Sequence, residues 1–454
     1  MKNGLFQNRL LELALSPMIN LYSKDYRVKV GKIINKERIT ESLIPAIIKG
    51  SRKHVESRKN AIANRFSNKI SDNKNVLFTI EALSDSHFRK QRNKGISSDE
   101  LSQKVLMAHY NKEPINLVGL MFTRKNISPL RRNDGDESLT DLAEVASLIH
   151  LNSFAELIDK FYPWGVHFII LSEGKRFKDV FDYTLESTTN YQNNLKEWIK
   201  TLGLKFMKLY DYDDFLNEKL TEKQSKLRRK NYDKALNKYN HIMLPILDPK
   251  NIDLSIKKAI QLDPQDDPEN SDKSFIPLWK SLLISLPYHP MKSFAENSGI
   301  EYDHLYLRTI RSIFLDKRTY SSVFREHVIN TSWNAAICHN SLELGDIATG
   351  IQVAQLASPF ALRTTINPKH GSSLGIFTIR ETTSRVQPWH GTGFLETDKN
   401  GSLKATALSK LELESKGSIP IYIDRFDGKP FCYATAEASA ILQKGDIIFE
   451  ASTR

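Results

Sequence analysis

The chain is poor in cysteine: its 454 residues hold two, Cys338 and Cys432. Two cannot build a disulfide framework, and their spacing suggests no zinc site. His339 follows Cys338, but chain neighbours rarely face one another, so both cysteines read as structural. Long apolar runs are missing as well. No stretch approaches the roughly 18 apolar residues that a membrane-spanning helix needs. The first residues, "MKNGLFQNRLLELALSPMINLYSK", are interrupted by Asn8, Arg9 and Glu12, which suits a short amphipathic helix better than a secretory signal. A cytoplasmic protein without a membrane partner is expected.

Nucleotide and hydrolase signatures are also lacking. There is no Gly-x-Gly-x-x-Gly after a strand and no phosphate loop ending in Gly-Lys-Ser/Thr. Ser372-Ser373 lacks the Gly-x-Ser-x-Gly elbow of a hydrolase. Of the 12 histidines, none pair at the spacing of a zinc helix with an intervening glutamate. Neither a metal nor a cofactor is expected.

What the chain does have begins with charge. A formal +12 can serve nucleic acid, an anionic surface, or a site for phosphate or carboxylate ligands. The basic residues gather in Ser51–Lys69, at Arg131-Arg132 and in Lys223–Lys238. Aromatic residues do not interleave with them as a single-strand stacking platform requires, and no helix-turn-helix, finger or RNA-binding signature occurs. Solvated helix faces are the plainer reading, so nucleic acid is not the expected partner.

Residues 1–105 read as a helical N-terminal extension. From Pro114 the texture changes: "PINLVGLMF" is a buried strand bounded by proline and the polar "TRKN". A helix follows over residues 138–161, with Ser138 or Thr140 as its cap and a break at Asn152-Ser153. Next come a Pro-Trp-Gly turn, a buried strand (Val166–Leu171), a Ser-Glu-Gly turn, a helix over 186–200 and a third apolar run, "LKFMKLY". Strand alternating with helix is parallel α/β construction. Such sheets bind ligands beyond the carboxyl ends of their strands. Arg124, Lys125, Ser172, Glu173 and Asp211 then share one rim. A helical insertion is expected around 211–330, with an acidic loop at 262–274. From Phe360 the short runs "FALRTTI", "SLGIFTI", "WHGTGFL" and "PIYID" are separated by hairpin-type turns, so an antiparallel C-terminal portion is expected. Residues 106–454 thus read as one α/β domain.

Four places could carry chemistry. Arg124 and Lys125 end the first buried strand. Glu173 and Asp179 follow the second. Arg363 lies in an otherwise apolar strand, where its burial requires an anion: a ligand, or an ion pair with Glu173 or Asp179. His390 sits in "RVQPWHGTGF", and taken alone a histidine beside Trp389 favours a packed core role.

Three blocks carry a family resemblance: "EPINLVGLMFTRKNIS" (Glu113–Ser128), "DLAEVASLIHLNSFAELIDKFYPWGVHFIILSEGKRFKDVFDY" (Asp141–Tyr183), and "FALRTTINPKHGSSLGIF" with "VQPWHGTGF" (Phe360–Phe394). In this order they resemble the isonitrile synthases of the pyoverdine- and dityrosine-biosynthesis family. Lys125 falls on the lysine of a Phe-Pro-Cys-Lys-type turn, although Thr123-Arg124 replace Pro-Cys. Glu173 replaces the aspartate of Ser-Asp-Gly, Arg363 falls on the arginine of Arg-Leu-Ser-Ile-His-Pro, and Asn367 replaces its histidine. His390 falls on the histidine of Thr-Pro-Trp-His-Gly.

The resemblance implies a Rossmann-like enzyme of transferase and lyase character, with no redox cofactor and no metal. It would condense the amine of tyrosine or tryptophan with the ketone of ribulose 5-phosphate. Sugar fragments would then leave, and an isonitrile, or an N-formyl group as in dityrosine-pathway relatives, would remain. Arg124, Lys125 and Arg363 would take the phosphate and carboxylate; His390 would transfer protons; Glu173 or Asp179 would receive the amino group or orient the histidine. An iron- and 2-oxoglutarate-dependent oxygenase is the pathway partner it implies. Two other readings stay open: a non-catalytic binder of phosphorylated metabolites on the same fold, and a basic nucleic-acid-binding protein.

Overall fold

A computed structural model of the chain describes residues 32–33, 39–66, 74–90, 95–123, 138–175, 184–227, 230, 353–366, 373–379, 387–398, 401–408, 410–422 and 430–444. In chain order these form strand β1 (Lys32–Ile33), helices α1 (Ile44–Arg65), α2 (Lys74–Leu83) and α3 (Ser98–Tyr110), and strand β2 (Ile115–Leu120). Then follow α4 (Leu142–Asp159), β3 (Val166–Ser172), α5 (Leu185–Thr201), β4 (Met207–Asp211) and α6 (Tyr212–Lys219). The C-terminal part comprises β5 (Leu362–Thr365), β6 (Ser373–Gly375), a 3-10 turn (Pro388–His390), β7 (Thr392–Thr397), β8 (Leu403–Leu408), α7 (Lys410–Ser415), β9 (Ile419–Tyr422), β10 (Pro430–Ala434) and α8 (Ala436–Lys444).

The apolar runs after Pro114 and Gly165 become strands buried on both faces, as expected of the centre of a parallel sheet. That sheet has the order β4-β3-β2-β5-β6, and every neighbouring pair is parallel. The chain builds outward from β2 in one direction through β3 and β4, then returns to build through β5 and β6. The direction of winding therefore reverses between β2 and β5, and ligands of such sheets bind at that crevice. The expected class, a mostly parallel α/β sheet with flanking helices, is the one that forms.

Helix α4 is the keel. Sixteen of its 18 residues are buried, as befits a helix covered on all sides. It packs against β3 and β4 of the parallel sheet, against α1 and α2, and against β7, β8 and β10. Side chains of α1, α2 and α3 join the same apolar core as the parallel sheet. The basic face of α1 is largely exposed at Arg52 and Lys53, while Lys59 and Arg65 pair with Glu56 and Glu81.

Several local expectations change. Helix α4 is capped by Asp141, not by Ser138 or Thr140: its Oδ1 accepts from Ala143 N at 2.7 Å, and its own N–H donates to Glu144 Oε2 at 3.0 Å. The helix also runs unbroken through Asn152-Ser153. Ser153 Oγ donates back to Ile149 O at 2.8 Å and Asn152 Oδ1 accepts from Phe206 N at 3.3 Å, so both polar groups are satisfied without a break. The runs at 362–365 and 373–375 are parallel members of the first sheet, because turn-forming residues between two strands do not fix the direction of the second. The remaining C-terminal strands form a separate mixed sheet, β1-β9-β10-β7-β8, with antiparallel β7–β8 and β9–β10 pairs and parallel β1–β9 and β7–β10 pairs. The acidic loop at 262–274 and nearly all of the expected insertion lie outside the described residues.

Candidate functional site

The crevice begins where β2 ends. Phe122, two residues past the strand, has φ +56°. That left-handed conformation is a strained one for a bulky aromatic residue and needs surrounding structure to hold it. Three contacts do so. Ser172 Oγ at the tip of β3 donates to Phe122 O at 2.9 Å. The Phe122 ring, wholly buried, packs on Trp389 with centroids 4.9 Å apart. Met121 N donates to Leu171 O at 3.2 Å.

Thr123 follows, and its Oγ1 donates to Glu173 Oε2 at 3.4 Å. Glu173 is buried, at 2% exposure. Gly174 next to it is dictated by space: a Cβ there would lie 2.4 Å from Thr123 O and 2.4 Å from Thr188 Cγ2. The tips of β2 and β3 and the face of α5 are thus in direct contact at this point.

A polar chain continues sideways to β4. Gln192 of α5 donates from Nε2 to Ser172 Oγ and to Asp211 Oδ2, both at 3.0 Å. Asp211 Oδ1 accepts from Asp213 N at 3.0 Å and Asp214 N at 3.3 Å, which caps α6. All three side chains are buried.

From the other side comes the 3-10 turn with Trp389 and His390. His390 N donates to Gln387 O at 2.8 Å, and Gln387 Oε1 accepts from Thr378 Oγ1 at 2.8 Å. Ser147 of α4 donates to Thr378 O. The turn is therefore tied to the segment after β6 and to the keel helix. Trp389 is buried against Phe122, and His390 is half-buried beside it, with ring centroids 6.0 Å apart.

Arg363 lies on β5 in register with Val118 of β2 and Ser373 of β6. It is half-buried, and among the described residues no carboxylate pairs with it, Glu173 included. Arg124, Lys125, Asp179 and Asn367 lie outside the described residues. At the strained turn, Thr123 thus meets Glu173, and the Phe122 ring meets Trp389 with His390 beside it; Arg363 lies on β5, the strand paired with β2.

Sequence reasoning missed two residues that shape this crevice, Phe122 and Gln192. Phe122 looked like the last residue of an apolar run, and nothing in its identity signals a positive φ. Gln192 is a polar residue on the buried face of an amphipathic helix, a signal that could have been read. Cys432 is buried, and desolvation followed by the charge of Asp141 pushes its thiol well up, which keeps it protonated and unreactive. Among the described residues no three His, Cys, Asp or Glu side chains gather as metal ligands. No described helix is long and apolar enough to cross a membrane.

Comparison with known proteins bears on the same elements. Residues 109–271 match the family described as pyoverdine/dityrosine biosynthesis protein, a span that takes in β2, α4, β3, α5 and β4. L-tyrosine isonitrile synthase of Xenorhabdus nematophila is 29% identical over 99 residues, which is 22% of this chain and 29% of that enzyme. The match therefore spans less than a third of the length of this curated relative. The crystal structure of the PvcA protein from Pseudomonas aeruginosa aligns with a TM-score of 0.46 at 16% identity, over 80% of this chain and 99% of that one. The family match covers the first two of the three blocks and, with the curated relative, supports the resemblance to the isonitrile synthases of the pyoverdine/dityrosine family; the third block lies outside its span.

Proposed function

We propose that this protein is an isonitrile-synthase-like enzyme that joins the amine of an amino acid, aromatic in the first instance, to the ketone carbon of ribulose 5-phosphate. The observation that carries the reading is the family match over residues 109–271, whose strands end at the crevice holding Thr123 and Glu173. Each substrate carries an anionic group, a phosphate or a carboxylate, for which Arg363 in β5 and Arg124 and Lys125, next after Thr123 in the sequence, would be the partners. Imine formation and the later eliminations need proton transfer near neutral pH, a task for His390. Glu173, buried and held by Thr123, would receive the ammonium group of the substrate; Asp179 is its alternate for that role. Sugar fragments leave, and the C2-derived carbon stays on nitrogen as an isonitrile or an N-formyl group.

No redox step is required in this scheme. Tailoring of the isonitrile by an iron- and 2-oxoglutarate-dependent oxygenase would follow as a separate reaction. The test is incubation of the purified protein with ribulose 5-phosphate and each proteinogenic amino acid, with mass spectrometry of the products. An isonitrile or formamide supports the reading, and no turnover across all amino acids and several pentose and hexose phosphates removes it. One feature favours a second reading, a non-catalytic binder of sugar phosphates: Glu173 and Asn367 depart from the family's pattern. Calorimetric binding without conversion would identify that case.

A further inference from the structure

The polar chain across the strand tips has a fixed pattern of donors and acceptors. Asp211, as a carboxylate, can only accept, so the Gln192 amide must present its nitrogen to it. The amide's second proton goes to Ser172 Oγ, again at 3.0 Å. Ser172 has a single hydroxyl proton, and it goes to Phe122 O at 2.9 Å. Donation therefore runs outward from Gln192 on α5, to Asp211 of β4 on one side and through Ser172 of β3 to the carbonyl of the residue with φ +56° on the other. Each of these three side chains is at most 3% exposed, so no water replaces a lost link cheaply.

We propose that Gln192 is a positioning residue: through Ser172 it holds the left-handed turn at Phe122, and so fixes Thr123, Glu173 and the Trp389-His390 turn relative to one another. This rests on the reading of the crevice as the reaction site. Gln192 touches no reacting atom. Its contribution is to keep a strained backbone from relaxing away from the geometry that the proton-transfer and amine-binding groups need.

The prediction is tested with Gln192→Leu, which keeps the volume and removes both donors, and with Ser172→Ala, a smaller change should the first variant fold poorly. Hydrogen exchange followed by mass spectrometry reads the local structure without any assay. Both variants should exchange about tenfold faster over residues 120–123, with β7 and β8 unchanged. In the product assay kcat should fall about tenfold while KM for the amino acid stays within about twofold. The double variant should be no worse than the poorer single one, because both cut the same chain.

Unchanged exchange at 120–123 in both variants, or acceleration spread equally over β7 and β8, overturns the proposal. So does faster local exchange with wild-type kcat and KM, which would leave the chain a structural brace. If the wild-type protein makes no product from any substrate, the functional reading fails, and the exchange data alone still decide whether Gln192 holds the turn.

Discussion

The two sheets of this protein solve the same problem at different cost. In the mixed sheet, β7 and β8 pair in unbroken register from Thr392–Leu408 to Thr397–Leu403. Their turn closes on itself: Gly401 takes φ +77°, Asp398 N donates to Ser402 O at 2.8 Å, and Ser402 N donates to Asp398 Oδ1 at 2.9 Å. Glycine sits where a left-handed residue is needed, so position 401 is unstrained. At the tip of the parallel sheet the left-handed residue is Phe122, and a chain of buried hydrogen bonds is needed to keep it there. Strain held in place by surrounding structure, at the crevice where the winding of an α/β sheet reverses, is the contrast on which the proposal for this crevice rests.

That contrast is open to attack at several points. The largest effect is expected from His390→Ala, which should lower product formation by about two to four orders of magnitude while thermal unfolding stays close to wild type. An equally large loss of stability would show that the histidine belongs to the core instead. A pair of glycine variants compares the two sheets directly. Gly174→Ala places a Cβ 2.4 Å from the Thr123 carbonyl and should cost about 1–3 kcal/mol in urea unfolding, with loss of activity. Gly401→Ala meets nothing within 4 Å and carries only its φ of +77°, about 1 kcal/mol, with activity retained. The reverse order would mean that the rim relaxes more easily than the hairpin turn.

A fourth variant probes the helical layer. Asp85 is held at about 2, below its ordinary 3.8: burial pushes it up, but hydrogen bonds from His87 and Arg58 outweigh that. Arg58 reaches Asp85 Oδ2 from Nε and from Nη2, each at 2.8 Å, and His87 N meets Oδ1 at 2.9 Å. A carboxyl with a depressed value stabilises the fold above its unfolded value and loses that contribution as pH falls through the folded one. Urea unfolding across the window between 3.8 and about 2 should therefore show a steep acid limb in wild type. Asp85→Asn should be less stable near neutrality, with a flatter limb. The smallest effect belongs to Arg65→Ala, which breaks an exposed pair with Glu81 at 2.9 Å and should stay within about 0.5 kcal/mol in the same measurement.

The sequence made the parallel sheet legible because its central strands are buried on both faces and so read as continuous apolar runs. The helix over Leu142–Asp159 was equally visible from its periodicity. Its cap was misplaced because Ser138, Thr140 and Asp141 are all capping residues, and only the reciprocal bond to Glu144 selects one. Two strands were given the wrong direction because their turn-forming neighbours do not encode it. Of the candidate site, Glu173 is legible from its place after a buried strand, whereas His390, beside Trp389, reads as a packed core residue until the family resemblance is added. Phe122 is not legible, because a backbone dihedral imposed by tertiary contacts leaves no mark on residue type.

The most direct test of the proposed chemistry uses ribulose 5-phosphate labelled with carbon-13 at C2. A labelled isonitrile or N-formyl carbon on the amino acid product is the expected result. An unlabelled product carbon, or unchanged amino acid with every substrate offered, would contradict it.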